Sequence, residues 1–485
     1  GIVRADGSSK FAKENRWGSF KSLSFAWRAS NEKFLENSKV ISDLKLRASY
    51  GEAGNNRIDD YLFLSTFTDV QDGETLGGSR RMLASIYGLG NTPFSGLRPN
   101  AAVNYDLKWE TNISKNIGID VAFGKRLDLT VDVYENIGKD LLMDAPIASV
   151  TGYSSKMMNV GKTRNRGVEV QLNVTAIQKK NFSWTLTLNN SWNRNKVLNL
   201  ADGDSLYINS GWSLARVPDY LLLKGQPIGL MFGYITDGFY KPADFTQADP
   251  TIAAYTLKSG VPVPGIIPNP GDIKFKDISG PNGLPDGKID SYDKTVIGNA
   301  VPKFTGGLLQ QFRYKNFDLN VFVNWRVGGD VMNATKIEGT NAYNPLGNNL
   351  AEANNNRFTI IDKETGRRIT SLTELEAVNA DASMWMPALN VNNAFSLHSW
   401  AIEDGSFLRI NNISLGYTFK SVSIKRIGLS SLRIYGTVNN VAIFTNYSGY
   451  DPEVNTRRST NITPNVDFSA YPRSRGFVFG INASL

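Results

Sequence analysis

Apolar and polar side chains alternate residue by residue along much of this chain, in runs that are tall for an ordinary sheet. Leu127, Leu129, Val131 and Val133 are separated by Asp128, Thr130 and Asp132. Val168, Val170, Leu172 and Val174 alternate with Glu169, Gln171 and Asn173, and Phe317, Leu319, Val321 and Val323 with Asp318, Asn320 and Asn324. The pattern returns at residues 44–50, 117–123, 184–188, 413–419 and 432–438, and helical periodicity is nearly absent. Soluble strands usually have five or six residues. Residues 158–177 therefore predict one strand that crosses a bilayer and projects beyond it, since about ten residues suffice to cross. The expected fold class is all-β: an antiparallel transmembrane β-barrel.

Composition agrees with that reading. No stretch approaches the roughly 18 consecutive apolar residues of a membrane helix, and the mean hydropathy is -0.27. A transmembrane barrel alternates lipid-facing with lumen-facing residues, so its average resembles that of a soluble protein. The 485 residues contain no cysteine, which removes disulfide scaffolds, cysteine-type zinc and thiol chemistry. The net charge of +8 is spread without a basic block and points away from nucleic acid. The first residues lack the charged and apolar regions of an export signal, so an exported protein of this sequence is expected to be a processed or partial chain.

Connections alternate in length. Gly124-Lys125-Arg126, Lys179-Lys180-Asn181 and Lys315-Asn316 are tight polar turns, whereas residues 61–104, 333–403 and 445–473 are long. Outer-membrane barrels have short periplasmic turns and long external loops. Keeping that parity requires residues 198–301 to be one external excursion, although 228–240 is strand-like. About eleven crossings remain. The final GFVFGINASL places Phe477, Phe479, Ile481, Ala483 and Leu485 on one face, as expected for a strand that closes a barrel.

Several segments resemble the SusC/RagA family of TonB-dependent outer-membrane transporters from Bacteroidetes. EDGSFLRINNISLGYTF (403–419) is the most specific. LRIYGTVNNVAIFTNYSGYDPEV (432–454), LKLRASYGEAGNN (44–56), NVGKTRNRGVEVQLN (159–173) and GDIKFKDISGPNGLPDGKIDSYDKTVIGNAVPKF (271–304) follow it. The resemblance implies a barrel of about 22 strands around an N-terminal plug. Residues 1–485 would then be the C-terminal part of the barrel, with the plug and first strands outside this chain. It also implies a non-enzymatic importer in the bacterial outer membrane, multi-pass and surrounded by outer-membrane lipids. Such an importer takes up oligosaccharides or peptides under a SusD-like surface lipoprotein lid, with energy from the TonB complex.

Three groups of residues carry candidate chemistry. Asp277, Asp286, Asp290 and Asp293 resemble the latter part of a calcium-binding loop, with Gly287 supplying a sharp turn. Asn282 and Leu284 stand where the first ligands belong, and Pro281 and Pro285 interrupt the run, so a polar turn is the weightier reading. Tyr207, Trp212, Tyr343, Trp385 and Trp400 lie in long connections as stacking platforms for a ligand, or as packing and lid contacts. His398, the one histidine, has no G-x-S-x-G elbow, and a polar contact is expected of it. Tyr134, Trp325 and Tyr417 near strand ends suit an interfacial girdle.

Two other functions fit the alternation. A passive porin would lack a plug, and a soluble all-β carbohydrate-binding protein would need no detergent.

Overall fold

The computed structural model describes residues 1–64, 67–69, 86–89, 92–95, 97–99, 102–153, 155–200, 203–212, 217–341, 349–387, 396–419, 428–456 and 462–484. Twelve long strands form one antiparallel sheet in chain order. They are β1 (Ile2–Gly7), β2 (Trp17–Arg28), β3 (Ile41–Asn55), β4 (Glu110–Phe123), β5 (Leu127–Pro146) and β6 (Ser155–Lys179). There follow β7 (Phe182–Asn199), β8 (Phe304–Tyr314), β9 (Phe317–Val327), β10 (Phe407–Thr418), β11 (Ser431–Thr445) and β12 (Gly476–Ser484). The count is one more than the eleven expected. β6 has 25 residues, longer than the run that alternation marks.

The two-residue link between β8 and β9 shows how the tight ends are made. Tyr314 pairs with Phe317, and Lys315 turns the chain at φ +51°, the left-handed conformation that two-residue hairpins demand. Residues 124–126 and 180–181 close the other two tight ends. The intervening connections 56–109, 200–303, 328–406 and 446–475 are long. The strand-like stretch 228–240 lies outside the main sheet, as the short strands Leu230–Gly233 and Thr236–Phe239.

Two compact units make up the chain. The first holds residues 1–172, 193–205 and 223–226. Its register sets Leu23 opposite Tyr50, Tyr50 opposite Lys115 and Ile117 opposite Val133, so these side chains share one face. Ile117 on that face is 69% exposed, as suits contact with lipid. The opposite face is polar: Arg47 binds Asp120 at 2.8 and 2.9 Å and Asp132 at 3.0 and 3.1 Å.

The second unit holds residues 173–192, 206–222 and 227–485. Leu319 sits opposite Leu415 and Val321 opposite Ile413 on its apolar face, while Asp318 and Arg433 join at 2.6 Å on the polar one. Both β9–β10 and β10–β11 shift register, the latter between Ile410 and Asn412 where Asn440 adopts φ +52°. A bulge of this kind changes which alternate residues face lipid. On β10 the apolar series therefore runs Leu408 and Ile410, then Ile413 and Leu415.

The long connections of this unit have their own core. Trp212, Tyr220, Met231, Met332, Ile337, Leu397 and Val466 pack together. A three-stranded sheet ties the segments, with Asp330–Asn333 between Ile402–Asp404 and Val466–Asp467. Helix α1 (Ala334–Asn341) follows its middle strand directly.

Candidate functional site

Within the second unit, the sequence motifs of β10 and of the connection after β11 meet at Arg409. Its guanidinium donates to Asp451 at 2.7 Å and to Asn440 at 2.8 Å, and lies 3.2 Å from Glu453. Arg473 reaches Asp451 at 3.2 Å and Glu453 at 3.1 Å from the other side. Alternation puts Arg409 on the face opposite Leu408, and the register shift at Asn440 brings that amide under it. Sequence reasoning missed this network. The clue was the charged residue inside LRINN, a position where an unpaired cation would be costly to bury.

The candidate aromatic residues are distributed unequally. Tyr207 is 54% exposed and leans on Phe232, with ring centroids 5.2 Å apart. Trp212 is buried in the loop core at 2% exposure. Trp385, 4% exposed, packs edge-on against Trp400 at 4.8 Å and His398 at 5.5 Å. Trp400 is half-buried, and Lys336 Nζ sits 4.0 Å from its ring centroid, a cation–π distance. Tyr343 and the neighbouring Asn344 lie outside the described residues. Trp385 and Trp400 thus share one cluster and touch each other, Trp212 belongs to a second, and Tyr207 presents an open face.

His398 lies beside the Trp385–Trp400 pair. Its Nδ1 is 2.9 Å from the Thr236 hydroxyl, and its ring lies parallel to Trp400 and tilted against Phe275. Burial first, and then the charge of Lys336, holds its pKa down to about 3. A neutral imidazole bonded to a hydroxyl makes the polar contact expected of it. Burial also raises Asp219 to about 6, although Ser210 donates to it through both its backbone N–H at 2.8 Å and its hydroxyl at 2.5 Å.

Asp277, Asp286, Asp290 and Asp293 lie in one turn and accept from backbone amides. Asp277 accepts from Gly287 at 2.6 Å, Asp286 from Lys288 at 3.0 Å and Asp290 from Tyr292 at 2.8 Å. The fully buried Asp293 accepts from Ile278, Ser279 and Asp290. Among the described residues no group of three or more His, Cys, Asp or Glu converges as a metal ion needs. Each of the four carboxylates thus braces the turn through at least one backbone N–H.

The polar face of the same unit holds a cavity of about 770 Å³ near its tight turns. Thr185, Gln311, Arg313, Asp318, Asn320 and Arg433 are among its walls. The alternating polar positions of β9 were its sequence signal. Nothing in this arrangement combines a nucleophile, a base and an oxyanion pocket, and its chemistry is that of a hydrogen-bonding surface.

Comparison with known proteins gives the family. Residues 3–441 match the family described as "TonB dependent receptor-like, beta-barrel". TonB-dependent receptor P3 of Formosa agariphila is 32% identical over 99% of this chain and 43% of its own length. TonB-dependent receptor SusC of Bacteroides thetaiotaomicron is 29% identical over 99% of this chain and 41% of its own. The structure of the RagAB peptide transporter superposes with a TM-score of 0.70 at 23% identity, covering 99% of this chain and 45% of that one. This chain thus spans less than half the length of the relatives it matches. The curated relatives are receptors rather than enzymes, and their barrels belong to the outer membrane. With residues 3–441 matched, this chain belongs to the TonB-dependent receptor β-barrel family.

Proposed function

We propose that this chain forms part of the wall and external loops of an outer-membrane nutrient importer. It would take up oligosaccharides or peptides beneath a SusD-like surface lipoprotein, with energy from the TonB complex acting on a plug outside this chain. The observation that carries this reading is the pairing of similarity to SusC along 99% of this chain with long connections folded into a packed body. A packed external body offers a fixed rim to a lid, which loose loops would not.

Tyr207 is the residue best placed for ligand or lid contact, because a half-exposed ring is free to stack. Trp400 and Trp385, together with Trp212, would act by holding the rim's shape. Tyr343 completes the proposed set.

The test is uptake of labelled oligosaccharides and peptides by cells carrying the full-length protein, with and without a proton uncoupler. Uptake that collapses with the uncoupler, together with co-purification of a surface lipoprotein, supports the importer. Uptake that persists unchanged identifies a passive porin and overturns the reading.

A further inference from the structure

Along β6 the outward face changes character at one point. Val168, Val170 and Leu172 alternate on the same side as Arg166, Arg164 and Lys162, so an apolar stripe runs directly into three successive cations. The guanidinium of Arg166 reaches Glu135 on β5, which also lies 3.4 Å from Lys115 Nζ on β4. Lys115 and Glu135 share their face with Ile117 and Val133, two residues along each strand. Asn165 faces the other way and bonds Asn193 and Asn195 of β7. That leaves the exposed Arg194 and Lys196 on the Arg166 side.

Lys162, Arg164, Arg194 and Lys196 have no carboxylate partner among the described residues. The acids on this face, Glu135 and Glu52, are already engaged with Arg166 and Tyr50. A row of cations without a carboxylate partner among the described residues therefore borders the lipid-facing stripe. It lies at the strand ends that lead into connections 56–109, 147–154 and 200–303, the external end by loop length. Charges are costly inside hydrocarbon, so the row marks the headgroup level, where long basic side chains extend from an apolar surface.

The anions at that level of an outer leaflet are the phosphates of its glycolipid. Arginine matches phosphate oxygens in a planar, two-pronged contact, and clustered Lys and Arg next to a membrane span attract anionic headgroups. We infer that the face bearing Lys162, Arg164, Arg194 and Lys196 binds phosphorylated glycolipid of the outer leaflet. The site is separate from nutrient uptake and stands whether or not the importer reading does.

The experiment uses detergent-purified full-length protein and native mass spectrometry, with bis-phosphorylated lipid A and its enzymatically dephosphorylated form as probes. The expected result is at least tenfold preferential retention of the phosphorylated form. The quadruple variant Lys162→Gln, Arg164→Gln, Arg194→Gln, Lys196→Gln should lose about tenfold in that retention while keeping heat-modifiable migration on a denaturing gel. Equal retention of both lipids by the wild type overturns the inference without reference to any variant. So does a folded quadruple variant that retains the phosphorylated lipid as well as wild type.

Discussion

Arg409 donates to Asp451 at 2.7 Å with side chains only 2% and 7% exposed, joining a strand of the wall to the external connection after β11. Both charges are out of water, and each depends on the other. Removing one partner of a buried pair costs about 3–5 kcal/mol because the remaining charge is stranded. Arg409→Ala in the full-length protein is expected to lower the unfolding midpoint in guanidinium and to expose residues 446–475 to protease. Arg409→Lys should recover only part of the loss, since an ammonium cannot serve Asp451, Asn440 and Glu453 in one plane. Wild-type protease resistance in Arg409→Ala would show that the connection is held by other contacts.

Asp293 makes a second local prediction. Its carboxylate takes three backbone N–H groups, so Asp293→Ala leaves three donors without a partner, at about 1–3 kcal/mol for each one that water does not reach. Limited proteolysis should then cut within residues 277–293 of the variant and not of the wild type. Because backbone amides already brace the carboxylates of this turn, a calcium chelator should leave the wild-type cleavage pattern unchanged. Cleavage induced by the chelator would instead mark a metal-held loop.

Much of the wall was legible in the sequence because lipid on one side and a polar interior on the other impose a period of two. Asp128, Thr130 and Asp132 between Leu127 and Val133 announce a two-sided strand without any tertiary information. What alternation cannot show is a change of phase. The bulge at Asn440 adds one residue to β11, and no composition signal separates that asparagine from its neighbour Asn439. The loop body was legible only as length. Trp212, Trp385 and Trp400 read alike in sequence, yet one is core, one is core with ring partners and one is half-buried under Lys336, because burial there is decided by tertiary contacts that no local pattern encodes. Arg409 was hidden for the same reason: its acids lie about forty residues on, in a connection with no periodicity.

His398 and Asp219 predict opposite responses to acid. The folded pKa of His398 is about 3, below the ordinary value near 6.5. Its contribution to stability is therefore complete above pH about 6.5 and is lost as pH falls toward 3. Asp219 has a folded pKa of about 6, above the ordinary carboxylate value near 3.9, so it adds stability as pH falls through that window. His398→Gln should flatten the acid-induced loosening of the loop body, and Asp219→Asn should steepen it. Hydrogen exchange at residues 230–240 and 396–402 between pH 4 and 7 reads both, and identical pH profiles for wild type and His398→Gln would remove the imidazole from the account.

Tyr207 and Trp385 separate surface function from packing. Tyr207 is open to solvent apart from its tilt against Phe232, so Tyr207→Ala deletes a stacking face at small structural cost. It is expected to reduce uptake of labelled substrate several-fold with the unfolding midpoint unchanged. Trp385 is enclosed by Ala353, Met384, His398 and Trp400, and truncating a buried tryptophan costs about 3–5 kcal/mol through lost transfer energy and the cavity left behind. Trp385→Ala should therefore lower the midpoint and uptake together, whereas Trp385→Phe should restore most of both by refilling the space. If Tyr207→Ala leaves uptake at the wild-type level, ligand and lid contact pass to other residues of the rim, and the stability data on Trp385 stand independently of that result.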